Sequence, residues 1–145
     1  MNLLDLNDFE MPIFSVDREK ESGVHSLAAE FKNHISESEA LVISFAEHNG
    51  SYSTAFKNVL DWASRLDGKL WNEMPAFLLA TSPGGRGGST VLNLAKTYFP
   101  FMGAKVEATF SLPSFYDNFS AEDGIKNDEL KESFMEQLDK FQSAI

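Results

Sequence analysis

Four glycines within five positions, Gly84, Gly85, Gly87 and Gly88, are the residues whose spacing most directly suggests contact with a ligand. They follow an unbroken apolar run over residues 76–80, which predicts a buried parallel strand, and they precede a helical pattern. Because glycine has no Cβ, a strand-to-helix turn of this composition lets the backbone approach a flat or anionic ligand. The alternative is a flexible surface turn, and this stretch alone favours neither interpretation.

Two sharper phosphate-binding motifs are excluded at this turn. A P-loop needs a lysine before its final Ser or Thr, and Gly88 stands there before Ser89. A dinucleotide fingerprint that begins at Gly85 would need its third glycine at Thr90. The turn therefore exposes glycine backbone to a ligand, but it contains no known motif that identifies the ligand.

A second polar turn, residues 47–52, follows the apolar run over residues 41–46. Its Asn49-Gly50 pair, taken alone, predicts a β-hairpin. Apolar residues at helical spacing follow it, so we interpret it instead as a strand-to-helix turn with positive φ; these are Ala55, Phe56, Val59, Leu60, Ala63 and Leu66. In an open α/β sheet, ligands bind beyond the carboxyl ends of the strands. The two turns are therefore predicted to line one crevice.

The remaining pattern alternates strands with helices along one domain, residues 1–145. Strands are predicted at residues 3–6, 41–46, 76–80 and 105–110, and helices at residues 23–38, from near Ser53, after residue 90 and at residues 127–145. Residues 9–22 are interpreted as a polar connector, and Trp62 and Trp71 as core or subunit-contact residues. A loop with Phe115, Tyr116 and Phe119 is either a lid, a subunit contact or folded back on its own domain. The alternation predicts a parallel sheet covered by helices on both faces.

Composition limits the classes of function. A net charge of −10 disfavours nucleic acid as a partner. The chain has no cysteine, which excludes disulfides and thiolate metal sites and is compatible with the cytoplasm. No apolar run approaches the roughly 20 residues of a membrane span, and an acidic start is unlike a signal peptide. No catalytic Ser/His/Asp arrangement is predicted, because the three histidines are few and dispersed. No metal site is predicted either, because Asp5, Asp8 and Glu10 fit a solvated strand end.

Residues 47–52, 57–62 and 82–88 together resemble the NADPH-dependent FMN reductase family, which includes azoreductases, chromate reductases and quinone reductases. The resemblance implies a flavodoxin-like three-layer α/β/α sandwich with strand order 2-1-3-4-5 and FMN at the strand ends. It implies that one side of the flavin ring is lined by Glu47, His48, Asn49 and Gly50, and the other by Ser82, Gly84, Gly85, Arg86 and Gly87. It also implies a homodimer or homotetramer through the helix that starts near Ser53.

The sequence departs from the family pattern in two places. Ala46 and His48 stand where the family has proline and tyrosine. At the front, nothing matches the family's first strand, its Gly-Ser phosphate loop or the helix after it, so we expect four strands within this chain. Without that loop, FMN would lose several charge-assisted hydrogen bonds of about 1.5–3 kcal/mol each. Either the strands at residues 3–6 and 41–46 pair directly, or another chain or segment fills the gap.

The resemblance implies an FMN-dependent oxidoreductase that takes hydride from NADPH or NADH. The electrons would pass to a small acceptor, namely a quinone, an azo compound, free flavin or a metal oxyanion. The flavin would carry the chemistry, so no catalytic side chain is demanded. One alternative is a truncated, non-catalytic remnant or oligomeric binding module with impaired FMN binding. Another is a phosphate- or nucleotide-binding domain of the same fold.

Overall fold

A computed structural model describes residues 2–145. In chain order, its elements are α1 (Val16–Ser22), α2 (Ser26–Ser36), β1 (Leu41–Phe45), β2 (Glu47–His48), β3 (Ser51–Tyr52), α3 (Thr54–Ala63), β4 (Pro75–Thr81), α4 (Ser89–Tyr98), β5 (Lys105–Leu112), α5 (Phe115–Asn118), β6 (Phe119–Ser120), β7 (Gly124–Ile125) and α6 (Asp128–Gln142). Short 3-10 helices occupy Leu6–Phe9 and Phe99–Met102. Within residues 2–145, no helix is both long enough and apolar enough to cross a bilayer.

The central sheet is parallel and runs in the order β1-β4-β5. Alternate residues of β4 point to opposite faces, and each face enters a different apolar cluster. Ala76, Leu78 and Ala80 belong to the cluster that α2, α3 and α4 cover. Phe77 and Leu79 belong to the cluster that α6 covers. The chain therefore has the predicted three layers, and β4 is the predicted strand buried on both faces.

The carboxyl ends of β1, β4 and β5 lie at the same level of the sheet, and this register determines where the turns that follow them lie. Phe45 at the end of β1 pairs in register with Ala80 of β4, and Ala80 pairs with Ser111 of β5. The connections that follow β1 and β4 consequently leave the same edge of the sheet side by side. Helix α3 begins where predicted, because the Ser53 hydroxyl accepts a hydrogen bond from the Phe56 N–H at 3.2 Å.

The predicted strand at residues 3–6 is wrong. Leu6–Phe9 form a 3-10 helix, and the Asp5 carboxylate accepts the Asn7 N–H at 2.9 Å. This local bond takes a donor that a strand would have used in a ladder. The central sheet of the described residues therefore has three strands rather than four.

The predicted coverage of both sheet faces fails at β1. Among residues 2–145, β1 pairs only with β4, so its other edge is free. Val42, on the face that α6 shares, is 58% exposed, and Ser44 is also exposed. Direct pairing between residues 3–6 and β1 does not occur.

The connector at residues 9–22 is also more structured than predicted. It contains α1, whose first turn is capped by the Ser15 hydroxyl accepting the Arg18 N–H. The helix buries none of its residues, so it has no apolar stripe for sequence reasoning to detect.

The segment before α1 is held against α3 by Asn58. The Asn58 amide accepts the Phe14 N–H at 2.8 Å and donates to the carbonyls of Met11 and Pro12 at 3.0 and 3.2 Å. The Trp62 indole N–H also donates to the Pro12 carbonyl, at 2.7 Å. Trp62 is 2% exposed, as predicted for a core residue.

Replacing Asn58 with alanine is expected to lower the free energy of unfolding by about 1–3 kcal/mol, because the partly buried Phe14 N–H and Met11 carbonyl both lose their partner. Urea denaturation followed by circular dichroism measures the loss. The neighbouring Lys57→Ala variant is the control, since its exposed ion pair with Asp61 is expected to contribute no more than about 0.5 kcal/mol. Equal losses in the two variants would contradict the role of Asn58.

Candidate functional site

The structure brings the two predicted turns together at the carboxyl edge of the sheet. The Glu47 carboxylate accepts a hydrogen bond from the Val91 N–H at 3.0 Å, which joins the first turn to the start of α4. A Cβ built on Gly50 would lie 3.9 Å from the Thr90 methyl group. The turns after β1 and β4 are therefore neighbours, as the order of the strands predicts.

The first turn, residues 47–52, contains a β-hairpin. Glu47 pairs with Tyr52 and His48 with Ser51 in an antiparallel ladder. Asn49 and Gly50 between them have φ of 52° and 74°. Positive φ at both central residues is the geometry that an Asn-Gly turn favours. The predicted strand-to-helix connection with positive φ is confirmed, because these residues lead from β1 into α3. Preferring it to a hairpin was wrong, because a two-residue hairpin lies within this connection.

The second turn uses its last two glycines to pack against the sheet. Gly87 and Gly88 are buried, with φ of 58° and 72°. A Cβ on Gly87 would lie 2.4 Å from the Ser111 hydroxyl and 2.8 Å from the backbone of Leu112. A Cβ on Gly88 would lie 3.0 Å from that of Ala80. Gly87, predicted to line the ring, therefore lies underneath the turn against β5.

The first two glycines of the turn face open space instead. Gly84 and Gly85 are exposed, and a Cβ on Gly85 would meet nothing within 4 Å. Within residues 2–145, the backbone N–H groups of Gly84, Gly85 and Arg86 donate to no protein acceptor. Three consecutive free donors beside a surface without side chains can take a flat ligand that carries acceptor atoms.

The other predicted site residues have these positions. His48, Asn49 and Gly50 are exposed at the hairpin, and Arg86 is exposed on the glycine turn. The Ser82 hydroxyl donates to the Gly84 carbonyl at 3.2 Å, within the turn. The Glu47 side chain is directed to the start of α4, because one of its carboxylate oxygens accepts the Val91 N–H.

Sequence reasoning missed how the aromatic segment supports the glycine turn. The Ser114 N–H donates to the Gly84 carbonyl and the Phe115 N–H to the Ser82 carbonyl, both at 3.0 Å. Phe115 and Phe119 stack at 5.1 Å between ring centroids and pack on the α6 cluster, whereas Tyr116 is 74% exposed. We considered that this loop is a lid, a subunit contact or folded back on its own domain. Phe115 and Phe119 are folded back on their own domain.

Tyr52 brings a buried phenol next to the hairpin. Its ring contacts Phe45 and Phe56, with centroids at 5.7 and 5.1 Å. The hydroxyl is buried and has no partner within residues 2–145. Burial raises the pKa of Tyr52 to about 12, so this group stays neutral well above physiological pH.

The Tyr52→Phe variant is expected to be at least as stable as the native chain at pH 7, because the lost hydroxyl has no partner. The phenol titrates at higher pH in the folded chain than in the unfolded chain. The native protein should therefore lose stability as pH rises from 10 towards 12, and the variant should lose less. Urea denaturation at pH 7 and at pH 11 measures both effects. A variant destabilised by more than about 1 kcal/mol at pH 7 would show that the hydroxyl is bonded in solution.

A separate apolar cavity of about 390 Å³ opens on the α6 side of the sheet. Its lining includes Ser44, Leu79, Phe110, Phe115, Phe134 and Met135. None of the predicted site residues lines it. The cavity adjoins the uncovered face of β1 and belongs to the half-covered side of the sheet. No group of three or more metal-ligating side chains occurs within residues 2–145.

A parallel sheet between helical layers, with glycine-bearing turns at the carboxyl ends of two adjacent strands, defines a flavodoxin-like α/β protein. The chain belongs to the NADPH-dependent FMN reductase family, because the sequence model of that family matches residues 1–117. The family predicted from the two turn motifs is thus confirmed, and the family and its relatives are NAD(P)H-dependent oxidoreductases.

Two curated relatives reduce quinones, according to their names. The chain is 31% identical over 84 residues to NADPH:quinone oxidoreductase of Arabidopsis thaliana, which is 58% of this chain and 42% of that protein. It is 36% identical over 78 residues to 2-hydroxy-1,4-benzoquinone reductase of a Burkholderia species, which is 53% of this chain and 42% of that protein. The matched part thus spans less than half the length of either relative.

A solved structure confirms the fold. The structure of FerB, a flavoenzyme NAD(P)H:(acceptor) oxidoreductase from Paracoccus denitrificans, superimposes with a TM-score of 0.70 at 23% identity. The match covers 98% of this chain and 80% of that chain.

Proposed function

We propose that this chain binds FMN in the crevice between residues 47–50 and residues 82–86 and passes electrons from NADPH or NADH to a quinone. The observation that carries this proposal is the open glycine surface at Gly84 and Gly85, with three consecutive N–H donors that have no acceptor within residues 2–145. A flat heterocycle with acceptor atoms along one edge suits such a surface. When bound, FMN would supply the redox chemistry: a hydride from NADPH or NADH would provide two electrons and one proton for the quinone, and solvent would provide the second proton of the hydroquinone.

The chain would supply position and electrostatics. Gly84 and Gly85 would contact the ring face without steric hindrance, and the N–H groups of residues 84–86 would offset negative charge at the ring edge. His48, Asn49 and Gly50 would form the opposite wall, with Ser82 and Arg86 at the rim. Gly87 would hold the turn in place from below. These residues suit the flavin ring. Within residues 2–40, which precede β1, there is no comparable glycine turn to hold the FMN phosphate.

Quinone is the acceptor class that we favour, since both curated relatives named above act on quinones.

We also propose that residues 1–145 act as one domain in the cytoplasm, where NAD(P)H is available as reductant. A homodimer or homotetramer would form through α3, whose Thr54, Ala55 and Lys57 are exposed directly after the hairpin. A partner subunit there would lie beside the crevice.

The test is the oxidation of NADPH and NADH, followed at the nicotinamide absorbance, by purified protein with FMN and benzoquinone. We expect quinone-dependent oxidation of NADPH or NADH that requires both the protein and FMN. Oxidation no faster than that with free FMN alone would overturn it. Size-exclusion chromatography with light scattering tests the assembly separately.

The free edge and the exposed outer face of β1 favour a second candidate, a non-catalytic binding module with impaired FMN binding. An unpaired, uncharged edge strand is a ready site for pairing with another chain. Association with other chains, without flavin binding or NAD(P)H oxidation, would support this candidate over the reductase.

A further inference from the structure

We propose that Glu47 is a specificity-determining residue that excludes phosphate groups from the glycine turn. This inference rests on the proposed function, because it specifies which part of a flavin nucleotide the turn admits. A strand, a glycine-rich turn and the N-terminus of a helix usually form a phosphate site. Here a carboxylate from another part of the chain already occupies the start of that helix.

The geometry shows how α4 depends on Glu47. The N-cap residue of α4 is Gly88, which has no side chain with which to cap the helix. The Val91 N–H in the first turn of α4 donates instead to Glu47, 44 positions earlier in the sequence. The bond is 3.0 Å long and partly buried. One of the first-turn donors that an incoming phosphate would need is therefore already used.

The charge of Glu47 adds to this exclusion. The N-terminus of a helix carries a partial positive charge that favours anions, and the carboxylate compensates it. A phosphate approaching the turn would meet a like charge beside the helix end. Arg86 is exposed on the same turn and forms no salt bridge within residues 2–145. Without Glu47, the turn would combine a free helix end with an arginine, which is a strongly anion-binding combination.

The exclusion orients the ligand. The turn accepts the uncharged ring of a flavin and rejects both its phosphate and the pyrophosphate of NAD(P)H. The same glycine-rich sequence thereby differs in specificity from a nucleotide phosphate loop because of one residue in the neighbouring hairpin.

The test measures binding of inorganic phosphate, without flavin, by isothermal titration calorimetry at constant ionic strength. The native protein is expected to show no saturable binding. Glu47→Ala should bind phosphate saturably, with a Kd at least about tenfold below the highest phosphate concentration at which the native protein shows no binding, since the substitution frees the helix end and removes the charge. Glu47→Gln keeps the size and a hydrogen-bond acceptor, so it should gain phosphate affinity from the lost charge alone and less than Glu47→Ala does.

Glu129→Ala is the matched control, because it removes an exposed carboxylate from the first turn of another helix, α6, with the same change in net charge. It should behave like the native protein. Saturable phosphate binding by the native protein, or none by a folded Glu47→Ala or Glu47→Gln variant, would overturn the inference. Because no flavin is present, these outcomes are independent of whether the chain reduces quinones.

Discussion

The Gly87→Ala variant is expected to lose about 3–6 kcal/mol of its free energy of unfolding, a large share of the total for a domain of this size. Two effects add. The backbone at Gly87 has a φ of 58°, which is strained for any residue with a Cβ. The new methyl group would also lie 2.4 Å from the Ser111 hydroxyl and 2.8 Å from the backbone of Leu112, which cannot swing aside. Urea denaturation followed by circular dichroism measures the loss.

Gly124→Ala separates the two effects in this experiment. Gly124 has a φ of 70°, but its Cβ would meet nothing within 4 Å. This variant should therefore lose only the strain contribution, about 1–3 kcal/mol. If Gly87→Ala were no less stable than Gly124→Ala, the close packing of the turn on β5 would be refuted.

The Gly85→Ala variant is expected to keep its stability and to bind FMN at least about tenfold more weakly. Gly85 does not have positive φ, and its Cβ would enter open space, so alanine should change the free energy of unfolding by no more than about 1 kcal/mol. The same methyl group would stand on the surface where the ring is proposed to lie, and it would hold the ring away from the N–H donors. FMN affinity and urea stability must be measured on the same preparation.

The control for this variant is Gly68→Ala. Gly68 is exposed, lacks positive φ and has nothing within 4 Å of a built Cβ, like Gly85, but it lies in the loop after α3. It should bind FMN as the native chain does. Unchanged FMN affinity in Gly85→Ala would mean that the flavin ring, if bound, lies elsewhere.

The strand-and-helix order was predictable because burial leaves a periodic record in the sequence. Residues 76–80 are apolar without interruption since β4 is covered on both faces, and α3 repeats its apolar residues every three or four positions. Leu3, Leu4 and Leu6 gave the same signal without forming a strand. There the Asp5 carboxylate accepts the Asn7 N–H, and no strand within residues 2–145 pairs with this segment.

The position of the site was predictable from the sequence. Which of its residues face open space and which pack against the sheet was not. Parallel strands place their carboxyl ends at one edge, so two turns that follow adjacent strands had to meet. The local sequence does not distinguish the exposed Gly85 from the buried Gly87, because this difference in burial depends on how β5 and Ser111 pack beneath the turn. Likewise, the bond from Glu47 to Val91 joins positions 44 apart, and no local pattern reports it.

Flavin binding by this chain is tested by an equilibrium titration of FMN with the purified protein, followed by flavin fluorescence. We expect saturable quenching for the native protein and for Gly68→Ala, and binding at least about tenfold weaker for Gly85→Ala. Fluorescence that stays at the level of free FMN throughout the titration, with all flavin separating from the protein on a desalting column, would refute a flavin site between the two turns.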